Sequence, residues 1–141
     1  AVADRVAVMT AGEIIQIDAP ERLYREPASQ EVARFLQLQN IVPVLQWLDG
    51  VADTPIGKFK VNRDVQAILI HPDEIEVGVR GDISVTVVEC VFSGSVYRLV
   101  ALSGGGVRLH WSMPSKNPKV PRIGDNVYLI VNHDAVVGLK R

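Results

Sequence analysis

From Asn40 onward the chain is a succession of short apolar, β-rich runs broken every few residues by turn chemistry, and this rhythm constrains the fold more than any single motif. Residues 41–47 run into Leu48-Asp49-Gly50, and a short strand over 58–61 follows the turn Thr54-Pro55-Ile56-Gly57. Residues 67–70 are wholly apolar and stop at His71-Pro72-Asp73. Residues 83–92 alternate, which puts Ile83, Val85 and Val87 on one face and Ser84, Thr86, Val88 and Cys90 on the other. Residues 96–102 and 107–111 read as hairpin partners across Ser103-Gly104-Gly105-Gly106, with Val107, Leu109 and Trp111 facing away from Arg108 and His110. The stretch 113–122 carries Pro114, Pro118 and Pro121 without periodicity and reads as a loop. Strands over 127–131 and 135–139 finish the pattern, with Asn132-His133-Asp134 as their turn. Short strands at this spacing predict a small barrel or sandwich.

The simplest closed arrangement for 41–141 is a five-stranded β-barrel of OB type, so the fold expected is mainly β. Residues 1–40 have a different texture. Two β-type runs flank Thr10-Ala11-Gly12-Glu13, where Gly12 suits a tight hairpin turn. Pro20 and Glu21 fit the first turn of a short helix that Pro27 stops, and Ser29 can cap a second helix over 30–38. Val32, Phe35 and Leu36 then form one apolar stripe, which must pack on something. Forty residues of this kind make a poor core alone, so 1–40 read as the remnant of another domain and 41–141 as the barrel. A start at Ala1-Val2-Ala3-Asp4, with no Met and a strand almost at once, fits a piece of a longer chain.

Composition excludes more than it identifies. With 15 Lys+Arg against 16 Asp+Glu in 141 residues the net charge is -1, which gives no electrostatic footprint for nucleic acid or an anionic lipid surface. A single cysteine, Cys90, forbids an internal disulfide and any multi-thiolate metal site and suits a reducing compartment. The longest apolar runs fall far short of the roughly 20 residues a spanning helix needs.

The order of motifs resembles a known family. Ala3-Asp4-Arg5-Val6-Ala7-Val8-Met9, Gly12-Glu13-Ile14-Ile15-Gln16-Ile17, Ala19-Pro20-Glu21-Arg22-Leu23-Tyr24-Arg25-Glu26-Pro27 and Val32-Ala33-Arg34-Phe35-Leu36 are similar to the last stretch of an ABC transporter ATPase domain. Ile70-His71-Pro72-Asp73-Glu74-Ile75, Val91-Phe92-Ser93-Gly94-Ser95 and Gly124-Asp125-Asn126-Val127 then resemble successive motifs of the transport-associated OB (TOBE) extension of solute-importer ATPases. Three positions depart from the pattern: His71 stands for the usual arginine, Gln37 for a common glycine and Ala19 for a capping threonine. The sequence has no Gly-x-x-x-x-Gly-Lys-Ser/Thr loop, acidic Walker B strand end, Leu-Ser-Gly-Gly-Gln signature or switch histidine. The fragment thus lacks the clustered N–H groups and carboxylate that hold a triphosphate and its magnesium.

The resemblance implies a non-catalytic regulatory and dimerisation module, with no cofactor of its own, in a parent protein that binds ATP and Mg. Its implied partners are a second copy, the membrane permease subunits reached through the ATPase domain, and a small-solute or anion regulator. Nucleic acid is not among them, and the implied location is cytoplasmic, at the inner face of the cell membrane. Two other readings are a free-standing OB oligonucleotide-binding domain and a small-anion sensor.

Individual residues add little to this. Ser93, Gly94 and Ser95 are the candidate regulatory-ligand contact, because a glycine in a strand break can turn backbone N–H groups outward; a tight bend is the plainer use. His71, His110 and His133 sit in unlike contexts with no spacing that converges on a metal, and His71-Pro72-Asp73 suits a turn better than an acid–base pair with Glu74. Lys116, Lys119 and Arg122 read as a solvated rim, and Trp47 and Trp111 as core or interface. No catalytic or metal-ligating set is expected. A calorimetric titration of this chain with millimolar Mg-ATP is expected to give no saturable heat; micromolar saturable binding would contradict the motif analysis.

Overall fold

The computed structural model describes residues 4–141; Ala1, Val2 and Ala3, which open the expected remnant and the resembling stretch, lie outside the described residues. Strands β1 (Val6–Thr10) and β2 (Glu13–Asp18) form the expected hairpin. Ala11 at φ 48 and Gly12 at φ 81 both lie in the left-handed region, as the tight turn that matches strand twist requires. Helix α1 (Pro20–Arg25) begins at Pro20 without a side-chain cap, because Ala19 has no oxygen to offer. In α2 (Gln30–Phe35) the Val32 N–H donates to Ser29 Oγ at 3.2 Å. The helix is shorter than the 30–38 expected, and Gln37, at φ 60, turns the chain out of it. Its buried residues are Val32 and Ala33; Phe35, expected in the stripe, is 63% exposed.

Eleven further strands follow among the described residues: β3 (Ile41–Pro43), β4 (Gln46–Leu48), β5 (Val51–Thr54), β6 (Gly57–Lys60), β7 (Ala67–Leu69), β8 (Ile75–Gly78), β9 (Ile83–Ser93), β10 (Val96–Ser103), β11 (Arg108–Pro114), β12 (Asn126–Val131) and β13 (Val137–Leu139). They form a five-stranded sheet in the order β11-β10-β9-β12-β8 and two three-stranded sheets, β13-β7-β3 and β4-β5-β6. Every pairing between these strands is antiparallel, and Ser29 and Lys140 form an isolated parallel bridge.

The OB-type barrel expected over 41–141 does not form: no sheet closes on itself. In the five-stranded sheet β11 and β8 are opposite edges with no pairing between them. One reason lies in 41–47, expected as a single strand. Pro43 has no N–H to continue the ladder, and the chain changes partner just beyond it. Val44 N–H donates to Gln66 O at 2.9 Å, whereas Leu45 N–H donates to Asp53 O at 2.8 Å. One stretch is thereby divided between two small sheets and is not available to close a larger one. The supported description is mostly β, open-sheeted, with two short helices.

Asn40 deals with the free β11 edge. Its Nδ2–H donates to His110 O at 2.8 Å, and its Oδ1 accepts from His110 N–H at 2.7 Å. The carboxamide thus imitates one peptide unit of an absent strand. Its own carbonyl accepts from Ile70 N–H at 3.0 Å, which ties the β11 edge to the end of β7. The side chain is 1% exposed.

Between the sheets lies the main core, which includes Val42, Phe59, Ile68, Ile70, Val85, Leu99, Leu109, Trp111 and Leu129. Ile83, Val85 and Val87 face it as expected. Beyond Val87 the alternation shifts, because Glu89 pairs Val100 while Val87 pairs Ala101, leaving Val88 as a bulge. Cys90, expected on the outer face, is consequently half-buried against the core. A second cluster joins α2 to the β13-β7-β3 sheet through Ala33, Leu38, Ala67, Leu69 and Leu139, and a third packs Val8 and Leu23 on Val32.

Asn40→Ala removes both partners of a backbone N–H and C=O, so a loss of about 1–3 kcal/mol is expected. Urea unfolding followed by circular dichroism checks this, with Gln39→Ala as the control that leaves the midpoint in place.

Candidate functional site

A cleft of about 1270 Å³ separates the N-terminal hairpin and helix from the strands. One wall is Gln16, Asp18, Arg22, Arg25, Glu26, Pro27 and Ala28; the facing wall includes Asp49, Lys60 and Arg63; residues 133–138 form its floor. Each wall carries a polar contact. Gln16 Oε1 accepts from Ala28 N–H at 2.8 Å, and Arg63 Nη2 donates to Gly138 O at 3.3 Å. Arg22 lies 3.4 Å from Asp18 and 3.5 Å from Glu26, one helical turn away on either side. Charges of both signs line the cleft, and most of the arginines are engaged by protein groups.

His71 lies at the join between the two parts and is 2% exposed. Its Nε2 is 2.9 Å from the Arg25 carbonyl, an acceptor only, so Nε2 carries the proton and donates. Among the described residues no protein group bonds Nδ1. The imidazole stacks on Tyr24 at 5.0 Å, and the Arg25 guanidinium lies 5.3 Å from the same phenol ring. Arg25 Nη1 meets Asp73 Oδ2 at 2.8 Å. Burial, followed by the Asp73 carboxylate, pushes the Tyr24 phenol above its ordinary range, and the hydrogen bond to Asp73 raises the Arg25 guanidinium further. The expected turn at His71-Pro72-Asp73 is present as a single 3-10 turn over Pro72–Glu74. Asp73 is committed to Arg25 and Glu74 to Asn132, at 3.0 Å, so neither pairs with His71.

The other residues singled out from the sequence stand apart. Ser93, Gly94 and Ser95 make the exposed turn between β9 and β10, with Gly94 at φ 72 and Arg98 Nη2 3.4 Å from Ser93 Oγ. They do not line the cleft. His133 lies tilted against Phe59 with ring centroids 4.8 Å apart and reaches Asp82 at 3.4 Å. His110 is on β11, where burial and then the Arg108 charge depress its imidazole below the ordinary value. Among the described residues no group of three or more His, Cys, Asp or Glu is placed to hold a metal ion. No helix among them is long and apolar enough to cross a membrane. Lys116, Lys119 and Arg122 are exposed as expected. Trp111 is core, and Trp47, half-buried, donates to Val61 O at 2.8 Å. Sequence reasoning missed Asn40 and the pairing of Tyr24 and Arg25 with His71, for which no spacing in the sequence is a signal.

No protein-family model matches the chain. Individual proteins do. A Fe(3+) ions import ATP-binding protein of Photorhabdus laumondii is 32% identical over 140 residues, covering 94% of this chain and 39% of that protein. A sulfate/thiosulfate import ATP-binding protein of Escherichia coli O6:H1 is 29% identical, covering 94% and 38%. A spermidine/putrescine import ATP-binding protein of Pseudomonas fluorescens is 28% identical, covering 85% and 36%. The chain is homologous to the ATP-binding proteins of ABC transporters. It spans less than two-fifths of the length of these relatives.

A histidine whose imidazole is depressed in the fold favours folding in its neutral form. The unfolded chain then binds more protons than the folded one just below about pH 6.5, so stability falls as pH drops through that window. Urea midpoints from pH 8 to pH 5 are expected to decline less steeply for His110→Gln than for the parent; parallel slopes would assign the pH dependence elsewhere.

Proposed function

We propose that this chain is the C-terminal regulatory and dimerisation part of an importer ATPase, without catalytic groups of its own. The observation that carries the proposal is alignment along 94% of the chain with a solute-import ATP-binding protein at 32% identity. In this reading residues 1–40 are the closing edge of the ATPase domain and residues 41–141 a second domain. An apolar face supports it: Ala7, Met9, Ile14 and Ile17 point outward from the hairpin, with Met9 and Ile14 each 54% exposed. The rest of an ATPase domain would cover that face and bring the ATP and Mg sites. The parent acts at the cytoplasmic face of the membrane, joined to permease subunits through that domain.

A second copy is the partner of the five-stranded sheet. Leu102, Tyr128 and Ile130 are exposed at 38%, 42% and 41% on its outer side, and a two-fold dimer uses one self-complementary patch. Apolar residues in such a patch favour pairing with another apolar surface over water. The Ser93-Gly94-Ser95 turn, with Arg98 beside it, is the contact for a small anionic regulator. The loss of the OB barrel removes the structural basis for an oligonucleotide-binding reading. Light scattering across a concentration series is expected to show a dimer of the 15.4 kDa chain that Tyr128→Asp with Ile130→Lys dissociates. A monomer at every concentration would overturn the dimer.

A further inference from the structure

Residues 4–38 are attached to the strands in two chemically different ways. The first attachment is apolar and continuous: Ala33 and Leu38 pack with Ala67, Leu69 and Leu139. A backbone bridge reinforces it, with Gln30 N–H donating to Lys140 O at 2.9 Å and Lys140 N–H to Ala28 O at 3.2 Å. Both features act on α2 and the segment before it. The second attachment is polar and serves α1. His71 donates to the Arg25 carbonyl at the C-terminal end of that helix, where a donor satisfies a carbonyl left without an intrahelical partner. Arg25 grips Asp73, and Tyr24 covers the imidazole.

The turn that carries His71 and Asp73 is itself bound to β12. Asn132, the residue after that strand, donates from its backbone N–H to Glu74 O at 3.2 Å and from Nδ2 to Glu74 Oε2 at 3.0 Å. A contiguous set of contacts therefore runs from α1 through Arg25–Asp73 and His71, across Glu74–Asn132, to the strand that presents Tyr128 and Ile130. The cleft lies beside the first of these contacts, so any change in the angle of α1 changes its width.

We infer that Tyr24, Arg25, His71 and Asp73 form a latch that fixes α1 against the strands and passes movement of α1 to β12. None of the four is a catalytic residue; they act through position. The functional consequence rests on the reading above, in which α1 belongs to an ATPase domain and β12 to a dimer face. The latch would then carry nucleotide-driven motion toward the paired sheets. The contacts have the properties such a joint needs. The Arg25–Asp73 pair is about half exposed on each side, so it is weak and screened by salt, whereas the His71 bond is shielded from water.

Hydrogen–deuterium exchange on the 141-residue chain tests the coupling without nucleotide or permease. Asp73→Asn keeps the shape of the side chain and removes its charge, and His71→Ala removes the helix donor. In the Tyr128→Asp, Ile130→Lys background, where dimer formation cannot move the result, Asp73→Asn is expected to raise exchange by about two- to five-fold, the size an exposed ion pair supplies. The rise is expected over 20–26 and also over 126–132, with 96–103 unchanged, and Lys116→Ala is expected to change neither segment. High salt is expected to reproduce the Asp73→Asn pattern in the parent. A rise confined to 20–26 would overturn the coupling, and no rise in either segment would overturn the latch itself. If His71→Ala unfolds the chain, the Asp73→Asn and salt arms still decide. These outcomes are independent of the light-scattering result, so failure of the latch and failure of the dimer reading are told apart.

Discussion

The carboxamide of Asn40 holds together an arrangement that its strands do not close by themselves. A sheet edge exposes unpaired N–H and C=O groups, and a buried one must find partners for them. Closure into a barrel is one solution. This chain uses a side chain that offers one donor and one acceptor in the geometry of a peptide, and the polar groups of His110 are satisfied without a further strand. Because Asn40 also accepts from Ile70 N–H, the same residue sets the distance between the large sheet and the β13-β7-β3 sheet. The residues behind it, Val42, Ile68 and Ile70, are then at most 1% exposed, and the core forms between the sheets rather than inside a cylinder.

Local features of the fold were largely legible in the sequence. The hairpin at Ala11-Gly12, the helix start at Pro20, the Ser29 cap and the β10–β11 hairpin all depend on residues within a few positions of one another. The inward face of β9 at Ile83, Val85 and Val87 was legible for the same reason. What failed was long-range. Whether strands close is decided by which edges meet, and the change of partner between Val44 and Leu45 depends on Gln66 and Asp53, far away in sequence. Strand β8 was missed for a related reason: its four residues are defined by pairing with β12, and its pattern alone gives too little signal.

The candidate site was less legible than the fold. Resemblance drew attention to the His71-Pro72-Asp73 segment, and turn chemistry accounted for its backbone. Neither indicated that His71 would meet the end of α1, because that contact joins positions separated by 46 residues. The buried imidazole donates to the Arg25 carbonyl and pairs with neither Asp73 nor Glu74. The ion pair is made instead by Arg25 with Asp73, nearer the solvent, where desolvation costs less. Ser93-Gly94-Ser95 shows the opposite case: its glycine was legible as a bend, and a bend is what it makes.

The bulge at Val88 bears on how this chain tolerates insertions and deletions. Strand side chains alternate, so removing one residue elsewhere in β9 would turn every later side chain to the opposite face. Removing Val88 itself would restore simple pairing of Glu89 beside Val87 and leave Val85, Val87 and Cys90 facing as they do now. The longest strand of the large sheet therefore has one position at which its length can vary without inverting its pattern. That position lies beside the loop entering β12, where Gly124 N–H donates to Val87 O at 2.8 Å. Variation in the number of residues would be absorbed there, beside the connection into β12, while the residues on either side keep their register.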